Sequence, residues 1–264
     1  MHSDYYFTKG KDHFICEDYA FAGVAPNGFP YAIVADGCTT ATDTDIGARL
    51  LVRSLSRQID LGKSFDLRDA IHRASHIANA LGLDPACLMA TVLCAQAGPK
   101  GIDITLTGDG ALVARRRETK EIVVWWVNFP SGAPEYLCYI TSKDKHKQYR
   151  ETFGSTKIVE LYNIKEDDED AGNWEPIRFK DQLAIKVHLN YAFYDVVGLL
   201  TDGAATFDKE VFSKLDVIKA LMKFKNVKGE FVKRRMRRFL KDCRLNDIEH
   251  YDDIAMAAMY IEDE

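Results

Sequence analysis

Three apolar segments of this sequence have the composition of β-strands, and each of them runs directly into an Asp-Gly pair. They are residues 31–37 (YAIVADG), 102–110 (IDITLTGDG) and 196–203 (VVGLLTDG). A single Asp-Gly pair is a common turn signal and by itself predicts only a turn. Carboxylates at the ends of strands are, however, well placed to meet. The pattern therefore favours a fold in which strands that are far apart in the chain end at the same place.

Two acidic pairs extend this pattern almost to both ends of the chain. Glu17-Asp18 lies near the start and Asp252-Asp253 near the end, and both pairs flank apolar segments. Clusters of oxygen ligands alone suit hard divalent cations such as Mg²⁺ or Mn²⁺. If the acidic elements converge on one site, both chain ends belong to one domain. We therefore predict a single domain over residues 1–264.

The charge of the chain limits its partners. The net charge of −5 argues against general affinity for nucleic acid, because clustered lysine and arginine bind its phosphates. The basic run at 233–241 is interpreted as a solvated helix face without an assigned function, and the acidic run at 166–170 is predicted to be exposed and mobile.

Residues 1–10 lack a signal-peptide pattern, and no segment has the length of a membrane span. We expect a soluble cytoplasmic protein that binds neither nucleic acid nor membrane.

Strand-like and helix-like segments follow each other in blocks. Short strands are predicted within residues 5–36, and two apolar stripes at helical spacing predict a helix pair whose members stop at Gly62 and Gly82. Further strands are predicted at 89–95, 102–115, 122–129, 136–141, 158–162 and 182–187. A second helix pair and a strand at 254–261 complete the chain. Because βαβ alternation is absent, the pattern predicts an α+β fold, a layered sandwich of sheets with helices outside.

The order of the acidic elements resembles that of the metal-dependent protein phosphatases of type 2C. The resemblance spans nearly the full chain and rests on a series of short motifs. They are Glu17-Asp18, Asp36-Gly37, Met89-Ala90-Thr91-Val92, Gly108-Asp109-Gly110, Thr201-Asp202-Gly203 and Asp252-Asp253-Ile254. No motif is specific alone, whereas their order, with helix pairs between them at the expected places, is specific.

The resemblance implies a four-layer αββα sandwich, in which two antiparallel β-sheets pack face to face and an antiparallel helix pair flanks each sheet. It also implies a site for two Mn²⁺ or Mg²⁺ ions. Asp36 would bridge the two ions. Glu17 and the carbonyl of Gly37 would bind one ion, and Asp202 with Asp252 would bind the other.

Two further carboxylates are metal-site candidates by the same resemblance. Asp18 would hold metal-bound water, and Asp109 would bind a third ion in those relatives that have one. The implied activity is that of a protein serine/threonine phosphatase, which hydrolyses phosphoserine and phosphothreonine through a metal-bridging water. Asp36, Asp202 and Asp252 would be the catalytic residues. The expected partner is a phosphorylated protein in a signalling process, and the expected oligomeric state is a monomer.

The sequence departs from the family pattern at three places. Many members have His directly after the first Asp-Gly, where it protonates the leaving group; here Cys38 is the candidate general acid, with a packing role as the alternative. Eukaryotic relatives have a phosphate-binding Arg at the position of His13, so His13 and the nearby Lys11 are candidates for contact with the substrate phosphate. A third ion would call on Thr206, a poor ligand, or on the displaced Asp208, so the third ion stays open.

Two alternative functions remain open at this point. The absence of the arginine and the residues after Asp36-Gly37 are compatible with a catalytically weak or silent module that binds phosphoproteins. Retained acidic residues argue against it, because buried carboxylates without cations repel each other. The other alternative, a phosphatase of small phosphorylated metabolites, keeps the chemistry and changes only the substrate.

Overall fold

The computed structural model describes residues 1–165, 172–173, 175–208 and 210–262. The acidic run at 166–170 lies outside the described residues. The strands are β1 (His2–Thr8), β2 (Tyr19–Val24), β3 (Pro30–Ala35), β4 (Val92–Gly98), β5 (Gly101–Thr107), β6 (Gly110–Arg116), β7 (Ile122–Asn128), β8 (Thr156–Ile164), β9 (Gly172–Asn173), β10 (Ile177–Lys180), β11 (Ile185–Leu189), β12 (Tyr194–Leu200) and β13 (Ile254–Tyr260).

Helices occupy the two blocks in which the sequence predicts helix pairs, and one further segment. They are α1 (Thr44–Asp60), α2 (Leu67–Ala80), α3 (Lys143–Phe153), α4 (Lys214–Leu221) and α5 (Phe231–Leu245). Helices α1 and α2 end two residues before Gly62 and Gly82, whose φ angles of 74° and 72° are the left-handed conformation that terminates helices. No helix within the described residues is long and apolar enough to cross a membrane.

The strands form two antiparallel sheets. The larger sheet has the order β1-β13-β12-β6-β7-β8-β10, with β9 beside β8, and the smaller has the order β11-β5-β4-β3-β2. Strands β4 and β5 form a hairpin, with Gly98 opposite Gly101. Because β1 pairs with β13, the first and last strands lie side by side. This pairing brings the two acidic pairs near the chain ends into the same region.

Neighbouring strand residues show how the layers are built. In β3, Val34 packs in the core between the sheets, whereas Ile33 packs against α1 and α2. In β6, Leu112 faces the same inter-sheet core, whereas Val113 packs with residues of α4 and α5. Successive strand side chains point to opposite faces, so each sheet is apolar on both sides. The predicted four-layer sandwich is confirmed.

The acidic strand ends meet at one end of this sandwich. The Thr201 N–H just after β12 donates to the carbonyl of Ala255 in β13, at 3.1 Å. In the smaller sheet, the Thr91 N–H just before β4 donates to the carbonyl of Asp36, at 2.8 Å. The turn between β5 and β6, which carries Asp109, passes from one sheet to the other. The topology therefore places the three Asp-Gly pairs at the same edge.

The connection between β7 and β8 differs from the sequence prediction. The strand predicted at 136–141 is instead a 3₁₀ turn over Leu137–Thr141, and α3 follows where the sequence predicts a loop. Leu137 is fully buried against the α1–α2 layer, so packing decides the local conformation. Ser142 caps α3 by accepting a hydrogen bond from the Lys145 N–H at 3.3 Å.

Candidate metal centre

Six carboxylates from separate parts of the chain gather at this end of the sandwich, and we call them the carboxylate centre. They are Glu17, Asp18, Asp36, Asp109, Asp202 and Asp252. Burial, followed by the negative charges of four other members, raises the pKa of Asp36 well above its ordinary value. The structure thus brings together the carboxylates of all five acidic elements.

Asp36 directly follows β3 and is held by Thr91 of the small-residue strand. The Asp36 N–H donates to Thr91 Oγ1 at 3.2 Å, and the Thr91 N–H returns a bond to the Asp36 carbonyl. Thr91 is fully buried. The threonine therefore fixes the backbone from which the Asp36 carboxylate projects.

Asp18 is almost completely buried and has one partner. Thr201 Oγ1 donates to Asp18 Oδ2 at 2.6 Å, while Asp18 Oδ1 has no hydrogen-bond partner in the described structure. Burial raises the pKa of Asp18 well above its ordinary value, the Thr201 bond opposes this shift, and the charges of Asp202 and Asp253 add to it. An ionised Asp18 consequently requires positive charge nearby.

Asp202 and Asp109 show the same electrostatic strain. Burial and then the charges of Asp109 and Asp252 raise the pKa of Asp202 to about 8. Burial, with a smaller contribution from Asp252, raises the pKa of Asp109 to about 6. Asp109 Oδ1 is buried and has no partner among the described residues. Asp109 is thus a member of the centre rather than a turn residue alone.

Glu17 and Gly37 are joined through the first turn of α1. Thr44 Oγ1 donates to Glu17 Oε1 at 2.9 Å, and the Gly37 N–H donates to the Glu17 carbonyl at 3.3 Å. A Cβ at position 37 would lie 2.9 Å from both Thr44 Cβ and the Thr44 carbonyl oxygen. Glycine is therefore required here by the close approach of the helix, in addition to any approach of a ligand to its carbonyl.

Asp252 and Asp253 have different environments although they are adjacent. Asp252 is 35% exposed at its side chain and Asp253 is 2% exposed. The Asp253 carboxylate accepts the Gly10 N–H at 2.8 Å and the Glu17 N–H at 2.5 Å. It is a buried acceptor that ties the N-terminal segment to the centre.

His13 lies among these carboxylates. Its Nε2 is 3.0 Å from Asp252 Oδ1, and its Nδ1 is 3.3 Å from both Glu17 Oε2 and Asp253 Oδ2. The sequence predicts a contact between His13 and the substrate phosphate. In the structure both ring nitrogens contact carboxylates instead.

The different environments of Asp252 and Asp253 give a stability prediction. Asp253→Ala is expected to lower the free energy of unfolding by about 2–4 kcal/mol, because two backbone N–H groups lose their acceptor in a buried region. Asp252→Ala is expected to change it by less than about 1 kcal/mol, since this side chain is partly exposed. Urea unfolding in EDTA measures both, and equal destabilisation would contradict the assigned orientations.

Lys11 is placed outside the carboxylate centre. Its Nζ pairs with Glu249 Oε2 and lies 5.9 Å from the centre of the Tyr251 ring. The sequence prediction that Lys11 contacts the substrate phosphate is thus not supported by its position. The acidic partner of Lys11 was not foreseeable, because Glu249 is 238 residues away in the chain.

Cys38 lies beside the centre in a polar and aromatic setting. Its N–H donates to the Met89 carbonyl at 2.8 Å, and its Sγ is 3.1 Å from Thr40 Oγ1. Burial, with a hydrogen bond to Cys38 as the next cause, raises the pKa of the Tyr136 phenol. Tyr136 was not predictable as a neighbour of the site, because the strand predicted at 136–141 gives no sign of a contact with Cys38.

The residues considered for a third ion are engaged elsewhere. Thr206 Oγ1 donates to the Gly203 carbonyl at 2.8 Å and accepts the Asp252 N–H at 3.2 Å. Asp208 accepts the Glu249 N–H at 2.8 Å and the Tyr251 hydroxyl at 2.6 Å. Of the third-ion candidates, only Asp109 lies in the centre.

The chemistry of the carboxylate centre fits divalent cations. The described residues contain no group of three or more His, Cys, Asp and Glu side chains already arranged to hold a metal ion. Two buried carboxylate oxygens, Asp18 Oδ1 and Asp109 Oδ1, nevertheless have no hydrogen-bond partner in the part of the chain that the structure describes. Burial and mutual repulsion raise the pKa of each aspartate in the centre. Bound cations would give the unpartnered oxygens a contact and would lower the raised pKa values. An all-oxygen ligand set suits Mn²⁺ or Mg²⁺.

A comparison with protein families gives an independent result. The family model described as protein phosphatase 2C matches residues 10–241, which include every member of the carboxylate centre except Asp252. The comparison with curated proteins found no match.

Solved structures of bacterial phosphatases share the fold. The crystal structure of a bacterial serine phosphatase covers 100% of this chain and 99% of its own, with a TM-score of 0.60 and 12% identity. Serine/threonine phosphatase Stp1 from Staphylococcus aureus covers 99% and 95%, with a TM-score of 0.55 and 13% identity. The catalytic domain of the serine/threonine phosphatase PstP, solved in complex with two manganese ions, covers 99% and 98%, with a TM-score of 0.56 and 12% identity. At these identities the likeness establishes the fold alone.

Proposed function

The chain belongs to the protein phosphatase 2C family of metal-dependent serine/threonine phosphatases, and we propose that it hydrolyses phosphoserine and phosphothreonine in proteins at a binuclear Mn²⁺ or Mg²⁺ site. The observation that carries this proposal is the carboxylate centre itself. Its members come from opposite ends of the chain, yet they share one region in which their charges repel each other. A fold would not gather such groups for stability alone.

The proposed ligands are those that the resemblance to type 2C phosphatases implies, and the gathering of these carboxylates supports them. Asp36 would bridge two ions, with Glu17 and the Gly37 carbonyl on one side and Asp202 with Asp252 on the other. When bound, two such ions supply charge neutralisation and a water of lowered pKa, both of which phosphate-monoester hydrolysis requires because its uncatalysed barrier is very high.

The surrounding residues orient these ligands. Thr44 holds one oxygen of Glu17, and Thr201 holds one oxygen of Asp18. Asp253 fixes the backbone of Glu17. The Thr201 contact leaves Asp18 Oδ1 without a hydrogen-bond partner among the described residues, whereas the second carboxylate oxygen of Glu17 lies 3.3 Å from His13 Nδ1.

The candidate general acid for the leaving alkoxide, Cys38, gives a further prediction. Cys38→Ala is expected to lower kcat/KM by less than about threefold, because the thiol packs against Thr40 and Tyr136 rather than being required for the reaction. Steady-state kinetics with a phosphopeptide, compared with Asp202→Asn, measures this. A loss equal to that of Asp202→Asn would make Cys38 a catalytic residue.

A direct assay tests the proposed function. Purified protein with millimolar Mn²⁺ should release phosphate from a phosphoserine or phosphothreonine peptide, and EDTA should abolish the release. No release from the peptide or from p-nitrophenyl phosphate with either Mn²⁺ or Mg²⁺ would refute the proposal. Faster turnover of small phosphorylated metabolites than of phosphopeptides would indicate a metabolite phosphatase.

One observation favours the silent phosphoprotein-binding module as a second candidate. Both ring nitrogens of His13 contact carboxylates, and Lys11 pairs with Glu249, so neither predicted phosphate contact is supported by its position. Binding of a phosphopeptide without turnover in the presence of Mn²⁺ would select this candidate.

A further inference from the structure

A basic groove of about 940 Å³ lies beside the carboxylate centre, between α5 and the segments that carry Lys9 and Glu249. Its exposed cationic lining residues are Lys9, Lys11, Arg237, Arg238, Lys241 and Arg244. We call this surface the basic groove. It includes Arg237, Arg238 and Lys241 from the basic run at 233–241, which has no function assigned from the sequence.

Most of this positive charge is not neutralised. Arg237, Arg238 and Lys241 make no hydrogen bond or ion pair with any described residue, and the Arg244 Nε contacts only the Leu240 carbonyl, at 3.3 Å. Arg237, Lys241 and Arg244 follow each other at spacings of four and three residues, which places them on one face of α5. A solvated helix face would not by itself explain why they line a groove.

The groove also has apolar walls. Tyr6, Leu240, Leu245 and Ile248 line it, and Leu245 is 71% exposed. A mixture of cations and apolar contacts suits an extended peptide with acidic side chains. A long nucleic acid is disfavoured by the net charge of −5 on the whole chain.

One end of the groove adjoins the carboxylate centre. Lys11 lies two residues before His13, and His250 lies two residues before Asp252. Two residues of extended chain span at most roughly 7 Å between Cα atoms. The Gly10 N–H, which borders the groove, donates directly to Asp253. A single peptide is therefore able to reach both surfaces.

We propose that the basic groove binds an acidic stretch of the phosphoprotein substrate, beginning about two residues from the phosphorylated residue. The distance follows from the roughly 7 Å separation and a rise of about 3.3 Å per extended residue. The occupant is identified by charge complementarity and by continuity with the carboxylate centre. This inference rests on the proposed function for the position of the phosphorylated residue, whereas the binding of an acidic peptide is independent of catalysis.

Matched phosphopeptides test the catalytic consequence. One peptide carries four Asp or Glu residues starting two positions from the phosphoserine, in versions on either side, and the other carries Gln and Ser there. The native chain should show a kcat/KM at least about tenfold higher for one acidic version, equivalent to about 1.4 kcal/mol. The triple variant Arg237→Gln, Lys241→Gln, Arg244→Gln should remove this preference, mainly through KM, and leave turnover of p-nitrophenyl phosphate unchanged.

A second triple variant is the control for net charge. Arg57→Gln, Lys63→Gln, Arg68→Gln removes the same charge from exposed positions in and beside α1 and α2, and should keep the preference. Equal kcat/KM for the acidic and neutral peptides with the native chain, or an equal loss in both triple variants, would overturn the proposal.

Direct binding separates this proposal from the proposed function. A fluorescein-labelled acidic peptide without phosphate should bind the native chain and bind the groove variant at least about fivefold more weakly, as measured by anisotropy at low salt. If this holds while no phosphopeptide is hydrolysed, the groove stands and the phosphatase proposal fails. Tighter binding of a single-stranded oligonucleotide of equal charge would overturn the peptide assignment.

Discussion

Asp36→Asn is expected to lower kcat/KM for a phosphopeptide at least about a thousandfold, equivalent to about 4 kcal/mol of transition-state stabilisation. Burial and then the negative charges of four other aspartates raise the pKa of Asp36, and the resemblance to type 2C phosphatases implies that it would contact both cations. An amide has one oxygen without charge and bridges two cations poorly. Steady-state kinetics at saturating Mn²⁺ measures the loss.

Thermal unfolding distinguishes loss of metal binding from loss of fold. Mn²⁺ should stabilise the native chain, because a ligand that binds only the folded state raises its stability. It should stabilise Asp36→Asn much less, although this variant should be at least as stable as the native chain in EDTA, since a strained charge has been removed. The control, Asp103→Asn, alters a carboxylate that is 86% exposed and should change neither result. Retained activity in Asp36→Asn would refute its bridging role.

Asp202→Asn is expected to stabilise the metal-free protein increasingly as the pH rises. The pKa of Asp202 is raised from 3.8 to about 8 in the folded protein, first by burial and then by Asp109 and Asp252. Between these values the folded state binds more protons than the unfolded state, so the stability of the native chain falls as the pH rises. One pKa unit corresponds to about 1.36 kcal/mol. The variant lacks this penalty and should exceed the native chain by more than about 1.4 kcal/mol at pH 8.

Denaturant unfolding in EDTA between pH 4 and pH 8 measures this difference. The difference between the two proteins should be smallest near pH 4, where Asp202 is protonated in the folded state and partly protonated in the unfolded state. Mn²⁺ should remove the advantage of the variant at pH 8 by stabilising the native chain. A difference that does not grow with pH would contradict the raised pKa of Asp202.

The strand ends of the candidate site were predictable from sequence. The runs before Asp36, Asp109 and Asp202 have strand composition, and a strand ends shortly before each of these residues. Strand periodicity and Asp-Gly pairs are local patterns, so the structures that they predict do not depend on which distant residues become neighbours. The two helix pairs were predictable for the same reason, because their apolar stripes repeat at helical spacing.

The partners that hold these carboxylates were not predictable. Thr201 donates to Asp18 across 183 residues, and the Gly10 N–H donates to Asp253 across 243 residues. No periodicity encodes such contacts, since they depend on which strands become neighbours. The role of Asp253 as a buried acceptor was not predictable for this reason, because its partners Gly10 and Glu17 lie near the other end of the chain.

The connection between β7 and β8 illustrates a different limit. The sequence around Tyr136 is rich in β-formers, yet burial of Leu137 against the α1–α2 layer makes this segment a 3₁₀ turn. Tertiary packing outweighs propensity in such short segments. Helix α3 was missed because it is strongly polar and buries only Tyr149, so its apolar stripe is too weak to read.

The most direct test of the carboxylate centre is anomalous diffraction from a crystal soaked in Mn²⁺. If the carboxylate centre binds two ions, the anomalous map will show two manganese peaks. One would be ligated by Glu17, Asp36 and the Gly37 carbonyl, and the other by Asp36, Asp202 and Asp252. Manganese bound only elsewhere on the protein, or no manganese at concentrations that saturate any activity, would contradict the account.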